Sequence, residues 1–155
     1  MADEKKLPDA LMLEVVTPDR EVAHEPVAEI QLPGLAGYLG ILPGHTPLLT
    51  ELGIGTLSYR HEGKTVYVAV IGGIAEVLPG RVIVLADAAE RSEDINVERA
   101  RADLAEAEKK MANSAADPTT DWDAVLKSVA SAKTRLDVAG HSGGADANTG
   151  GRGAH

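Results

Sequence analysis

The sequence predicts an all-β first half followed by a pair of helices, and two observations carry that division. From Leu11 to Asp87, β-branched runs of five or six residues alternate with Gly and Pro turn signals, the pattern of an antiparallel sandwich or barrel. Beyond Ala86 the apolar period lengthens to between three and four residues, as on one face of a helix.

Taken in order, LMLEVV (11–16) and VAEIQL (27–32) alternate apolar and polar positions, and Pro18 and Pro26 confine the connection between them. LSYRH, EGK and TVYVAV (57–70) read as strand, turn and strand of one hairpin. VYVAVI (66–71) is set off from IAEVL (74–78) by Gly72-Gly73, and Pro79-Gly80 joins IAEVL to RVIVLA (81–86). Proline presets φ and glycine tolerates a tight turn, so the last two strands form a second hairpin. At least six short strands follow from these signals.

In the second half Val97, Ala100, Leu104, Ala107 and Met111 make one stripe, and Trp122, Val125, Val129, Ala132 and Leu136 make another. Asn96 and Asp121 suit N-caps, with Glu98 and Asp123 in the positive first turns. NSAADPTTD breaks the two, so an antiparallel helical hairpin is expected. Its seam is mostly Ala and Val, each contact worth only about 1–2 kcal/mol. Such a pair is marginal alone and needs the β domain or another protein to cover it. AGHSGGADANTGGRGAH (139–155) has no apolar period and is expected to be disordered. The expected domains are thus residues 7–90, 93–138 and a tail from 139 to 155.

Composition narrows the function. The chain is 44% hydrophobic but only 3% aromatic and without Phe, so its core is aliphatic. A net charge of -9 opposes binding to nucleic acid or anionic lipid, which require a basic footprint. The absence of cysteine removes disulfides, thiolate metal sites and cysteine nucleophiles. MADEKKLPDALMLEVV has the look of neither a secretory signal nor a transit peptide. No stretch reaches the roughly 18 apolar residues of a membrane span, so direct membrane insertion is not expected.

Nothing points to catalysis. His24, His45, His61, His141 and His155 do not stand at metal-ligand spacing, and neither an H-E-x-x-H, a G-x-S-x-G nor a Walker loop is present. Glu93-Asp94 reads as solvated acids near a helix start. His45, within LGILPGHTPLL (39–49), is open to two readings: a hydrogen-bonded structural residue, or one that faces a partner.

Two segments together carry a resemblance. GYLGILPGHTPLL (37–49) fits G-x-L-G-I-x-P-G-H-x-P-L-L, and GGIAEVLPG (72–80) fits G-G-x-x-E-V-x-P-G. In these, and in its order of β domain and helices from about Leu11 to Leu136, the chain resembles the epsilon subunits of bacterial F-type ATP synthases. The resemblance implies a sandwich of about ten strands with a C-terminal helical hairpin, forming a non-catalytic part of the central stalk. It implies contacts with the gamma subunit and the c-ring, coupling of c-ring rotation to ATP synthesis, and a peripheral place at the cytoplasmic face of the bacterial inner membrane. It implies also that the helices can extend toward the alpha and beta subunits and restrain ATP hydrolysis. A free-standing β-sandwich interaction module is the alternative reading.

By the same resemblance Gly37, Tyr38, Leu39, Gly40, Pro43, Gly44 and His45 would form a loop edge facing the c-ring and gamma, with Leu48 and Leu49 anchored in the core behind it. The same stretch is also compatible with a buried turn between strands. Some relatives bind ATP between the helices through I/L-D-x-x-R-A and further arginines. Here the motif reads Ile95-Asn96-Val97-Glu98-Arg99-Ala100, Glu106 stands at a second arginine position, and Arg135 but not Ser131 supplies a cation from the other helix. A carboxylate gained and cations lost oppose a triphosphate. Weak or no ATP binding is expected, with Asn96, Arg99 and Arg135 the remnants of the site. Arg99 is expected to pair instead with Asp103 at i+4.

Overall fold

The computed structural model describes residues 7–141. Seven strands form one curled sheet, and two helices follow: β1 Leu11–Val16, β2 Glu21–Val27, β3 Ile30–Gly34, β4 Gly37–Ile41, β5 Leu48–His61, β6 Lys64–Leu78, β7 Arg81–Arg91, α1 Val97–Asn113 and α2 Trp122–Ala139. The strand order is β2-β1-β7-β6-β5-β3-β4. Ala28 and Glu29, between β2 and β3, exchange backbone hydrogen bonds with Arg60 of β5. That link brings the β2 end of the sheet round to β5 and encloses the core.

The expectation of about ten strands meets seven among the described residues, and Gly72-Gly73 supplies the reason. The expected break between VYVAVI and IAEVL is a bend inside one strand, because β6 runs from Lys64 to Leu78. Its positions in the sheet core are Val68 and Val70 before the glycines and Ala75 and Val77 after them, with Ala69 buried on the opposite face under the helices. The inward face therefore changes from even to odd numbers, while the pairing to β5 and β7 keeps one register on both sides of the glycines. Gly72 and Gly73 hold φ of 69° and 128°, and Gly72 is skipped in the pairing to both neighbours. β7 changes phase at the same level, from Val82, Val84 and Ala86 to Ala89. Each of these strands bends across the sandwich where shorter strands were expected.

VAEIQL also departs from expectation. Its single strand is divided between β2 and β3, because Ala28 and Glu29 turn aside to bond Arg60. Pro26 lies inside β2 and not in a connection, which an edge strand tolerates. Nor is the sheet wholly antiparallel, since β1 pairs in parallel with β7, from Met12–Arg81 to Val16–Leu85. The two expected hairpins form: Leu78 pairs with Arg81 across Pro79-Gly80, and His61 with Lys64 across Glu62-Gly63. Glu62 and Gly63 both take positive φ (51° and 77°), the tight turn whose twist matches the strands.

The sheet core gathers Leu11, Leu13, Val15, Ile30, Leu32, Leu57, Tyr59, Val68, Val70, Val77 and Val84, with β-branched residues prominent as the composition predicts. A polar cluster sits at its margin. Tyr59 is 1% exposed and donates its hydroxyl to Glu25 of β2, which Arg91 of β7 also contacts at 2.8 Å and His61 at 3.3 Å. These side chains tie β2, β5 and β7 together where the sheet closes. Burial, then donation to Glu25, pushes the Tyr59 hydroxyl up to about 12.

Both helices start where the caps were expected. Asn96 accepts from the Arg99 amide and Asp121 from the Ala124 amide, at 3.0 and 3.1 Å. Ala107, Val129 and Ala132 are buried and Val97, Leu104, Met111, Val125 and Leu136 half-buried, as the stripes require. Trp122 departs from its stripe and is 40% exposed at the first turn of α2. The hairpin docks on the sheet through a second, small cluster of Ala69, Ile95, Ala100, Val138 and Ala139. At its end the His141 ring stacks on Tyr67 of β6, centroids 3.8 Å apart. The rest of the expected tail, residues 142–155, lies outside the described residues.

Candidate functional site

Two places collect the residues singled out in the sequence: the β4 edge with its following turn, and the cleft between helices and sheet. At the first, Gly37, Tyr38, Leu39 and Gly40 form an edge strand paired to β3, where a loop was expected. Gly34 pairs with Gly37 across Leu35-Ala36, and a Cβ on Gly34 would lie 2.6 Å from the Gly37 carbonyl oxygen. Only glycine allows that approach. Tyr38 lies across β5, its hydroxyl accepting from the Thr56 amide at 3.1 Å over the bare backbone of Gly55. Leu39 packs half-buried on the sheet core.

Leu42-Pro43-Gly44-His45 is a β-turn closed by the His45 amide donating to the Leu42 carbonyl at 3.1 Å. Gly44, at φ 86°, meets the positive-φ requirement of the third turn position. Its amide donates to the Pro79 carbonyl at 2.7 Å, which fastens the turn to the β6–β7 hairpin. His45 Nδ1 stands 2.6 Å from the Thr46 carbonyl oxygen, a local bond that pins the ring to its own loop. The ring is thus hydrogen-bonded yet only half-buried, which is compatible with both of its readings.

Leu48 and Leu49 are not core anchors. They are 37% and 69% exposed, because β5 begins at the end of the sheet before its inward phase is established at Leu52. Leu35 (67%), Tyr38 (61%) and Leu42 (59%) are exposed as well, Leu35 at the β3–β4 turn and Leu42 just past the other end of β4. Tyr38, Leu39 and Leu48 also line a cleft of about 250 Å³. Leu35 and Leu42 went unnoticed in the sequence. Their signal was a leucine at each turn, where polar residues are the rule.

The second place is a cleft of about 310 Å³ that does bring Asn96, Arg99 and Arg135 together, beside Glu90, Asp94 and Asp103. Asn96 spends its side-chain oxygen on the helix cap. Arg135 Nε is 2.9 Å from Glu90 and Nη1 is 4.0 Å from Asp103. The Nε–H is not aimed at a hydrogen-bond acceptor, so the Glu90 contact is ionic. Asp103 therefore turns to Arg135 and not, as expected, to Arg99, whose guanidinium has no ion-pair partner among the described residues. Glu106 pairs with Lys110 at 3.9 Å on the neighbouring turn. Three carboxylates against two guanidiniums do not suit a triphosphate. Among the described residues no His, Cys, Asp and Glu group could hold a metal ion, and no helix is long and apolar enough to cross a membrane.

Comparison with known proteins accounts for both halves. Residues 10–92 match the family model of the ATP synthase delta/epsilon chain beta-sandwich domain, and residues 93–140 match that of its long alpha-helix domain. The ATP synthase epsilon chain of Solibacter usitatus is 51% identical over 109 residues, covering 70% of this chain and 81% of that one. That of Koribacter versatilis is 50% identical over 106 residues, covering 68% and 75%. A chain in the cryo-EM structure of the Euglena gracilis mitochondrial ATP synthase OSCP/F1/c-ring superposes with a TM-score of 0.69 at 25% identity, covering 89% of this chain and 85% of that one. The chain belongs to the ATP synthase delta/epsilon family, as an epsilon chain of the bacterial type.

Proposed function

We propose that the chain, a non-catalytic subunit of an F-type ATP synthase, couples c-ring rotation to ATP synthesis by docking its apolar sandwich end on the c-ring and gamma subunit. The observation that supports this most is the stiff turn at that end. Leu42 to His45 is closed on itself and tied to Pro79, yet it carries Leu42 and stands between Tyr38 of β4 and Leu49 of β5, all three more than half exposed. A surface already ordered loses little entropy on docking, and exposed apolar side chains beside it mark a partner site. Gly37, Tyr38, Leu39, Gly40, Pro43, Gly44 and His45 carry that surface on this reading.

The helical hairpin is the regulatory part. Its contact with the sheet is small and its seam rich in alanine, so docked and extended states can lie within a few kcal/mol. In the extended state it reaches the alpha and beta subunits and restrains ATP hydrolysis. The protein works at the cytoplasmic face of the bacterial inner membrane, held there by the complex. The carboxylates of the cleft disfavour ATP as a ligand.

Addition of the purified chain to synthase lacking its epsilon subunit tests this reading. Co-sedimentation with a fall in ATP hydrolysis is the expected result. Binding without that fall removes the inhibitory arm, and failure to bind removes the coupling role.

A further inference from the structure

We infer that Arg135 is a built-in latch, whose own-chain counter-charges dock the helical hairpin on the sheet without any ligand. Arg135 stands on α2, yet its guanidinium reaches Glu90 of β7 at 2.9 Å and Asp103 of α1 at 4.0 Å. One side chain thus bridges the three elements that meet at the cleft. The apolar contact beside it is slight, since three of the five buried residues, Ala69, Ala100 and Ala139, are alanines. Beside so small an apolar contact, the ion pairs of Arg135 contribute to the docking.

Arg135 and Glu90 are 30% and 31% exposed, so solvent and salt screen them less than a surface pair. Removing Arg135 leaves Glu90 half-buried without a cation, and removing Glu90 leaves Arg135 only the more distant Asp103. An entering anion would have to displace Glu90 and Asp103 from Arg135 and would face Asp94 as well. The cleft is therefore closed by internal carboxylates in the place where an anionic ligand would otherwise neutralise the arginine. The inference concerns the chain by itself and does not depend on its place in the synthase.

Amide hydrogen exchange of the full chain tests the latch. R135Q and E90Q should each speed exchange of the α1 and α2 amides about tenfold, while the β5 and β6 amides keep their rates. D103N should do less, because that carboxylate is the more distant one. Mg-ATP added to the unaltered chain should change none of these rates. Unchanged helix exchange in E90Q would overturn the ion pair's role, even with R135Q faster, since the arginine would then act by packing. Faster exchange throughout the sheet would show that the cluster holds the whole fold and would overturn the latch. Slowing by Mg-ATP would overturn its independence of ligand.

Discussion

A methyl group on Gly73 would sit 2.2 Å from the Leu85 carbonyl oxygen and 2.8 Å from the Ala86 Cα, at a φ of 128°. Backbone cannot yield as a flexible side chain can, so Gly73→Ala should cost about 3 kcal/mol or more. Gly40→Ala, with nothing within 4 Å of its Cβ, should stay within about 0.5 kcal/mol. Urea midpoints of the two variants decide the matter; equal midpoints would remove the glycine bend as a constraint on the sheet. Tyr59 gives a pH signature. Its hydroxyl stands near 12 in the fold against an ordinary 10.0, so the folded state holds that proton more tightly. The resulting stability is complete below pH 10 and is lost as pH rises toward 12, by about 3 kcal/mol. Tyr59→Phe should lack that alkaline loss, and a loss of the same size in the variant would assign it elsewhere. Neither residue's role was legible in the sequence. Glu25 is 34 positions from Tyr59, and no local pattern reports a hydrogen bond at that range. Leu48 and Leu49 misled for a related reason: a leucine pair resembles core until the strand's inward phase is known.

At the scale of elements, local chemistry was readable and long-range pairing was not. The N-caps Asn96 and Asp121 could be read directly, because a cap needs only a side chain two or three residues from an orphan amide. Asp121→Ala should destabilise α2 by about 1 kcal/mol, with Trp122, next in the chain, as fluorescent reporter. Asn96→Ala should behave likewise, whereas Asn96→Asp keeps an acceptor for the Arg99 amide and should keep the stability. If Asn96→Ala is silent, the cap is dispensable once the hairpin is docked. The hairpins at Glu62-Gly63 and Pro79-Gly80 were legible on the same grounds, through turn residues between alternating runs. Gly72-Gly73 was seen but misread, since two glycines can end a strand or bend it. Only the change of inward face from Val70 to Ala75 distinguishes these outcomes, and it becomes visible once the neighbours are in place. The parallel pairing of β1 with β7 left no trace in either strand's own pattern, because both are buried on one face whichever way they run.

For the whole molecule, the separation of the two apolar clusters matters most. The sheet cluster draws on the strands alone, while Ala69 and Tyr67 of β6 face the helices. A chain ending at Ser92 would thus keep the sheet core and the Glu25–Tyr59–Arg91 closure, and would uncover only a small patch of β6. It should unfold in one cooperative step, bind synthase lacking the epsilon subunit, and leave ATP hydrolysis high where the intact chain lowers it. That combination follows only if the apolar turn end suffices for docking and the helices supply the restraint. Should the shortened chain fold yet fail to bind, the hairpin is part of the docking surface and the patch around Tyr38 and Leu42 is insufficient. Should it bind and still lower hydrolysis, the restraint belongs to the sandwich, and the Arg135 contacts would stabilise the fold without regulating it.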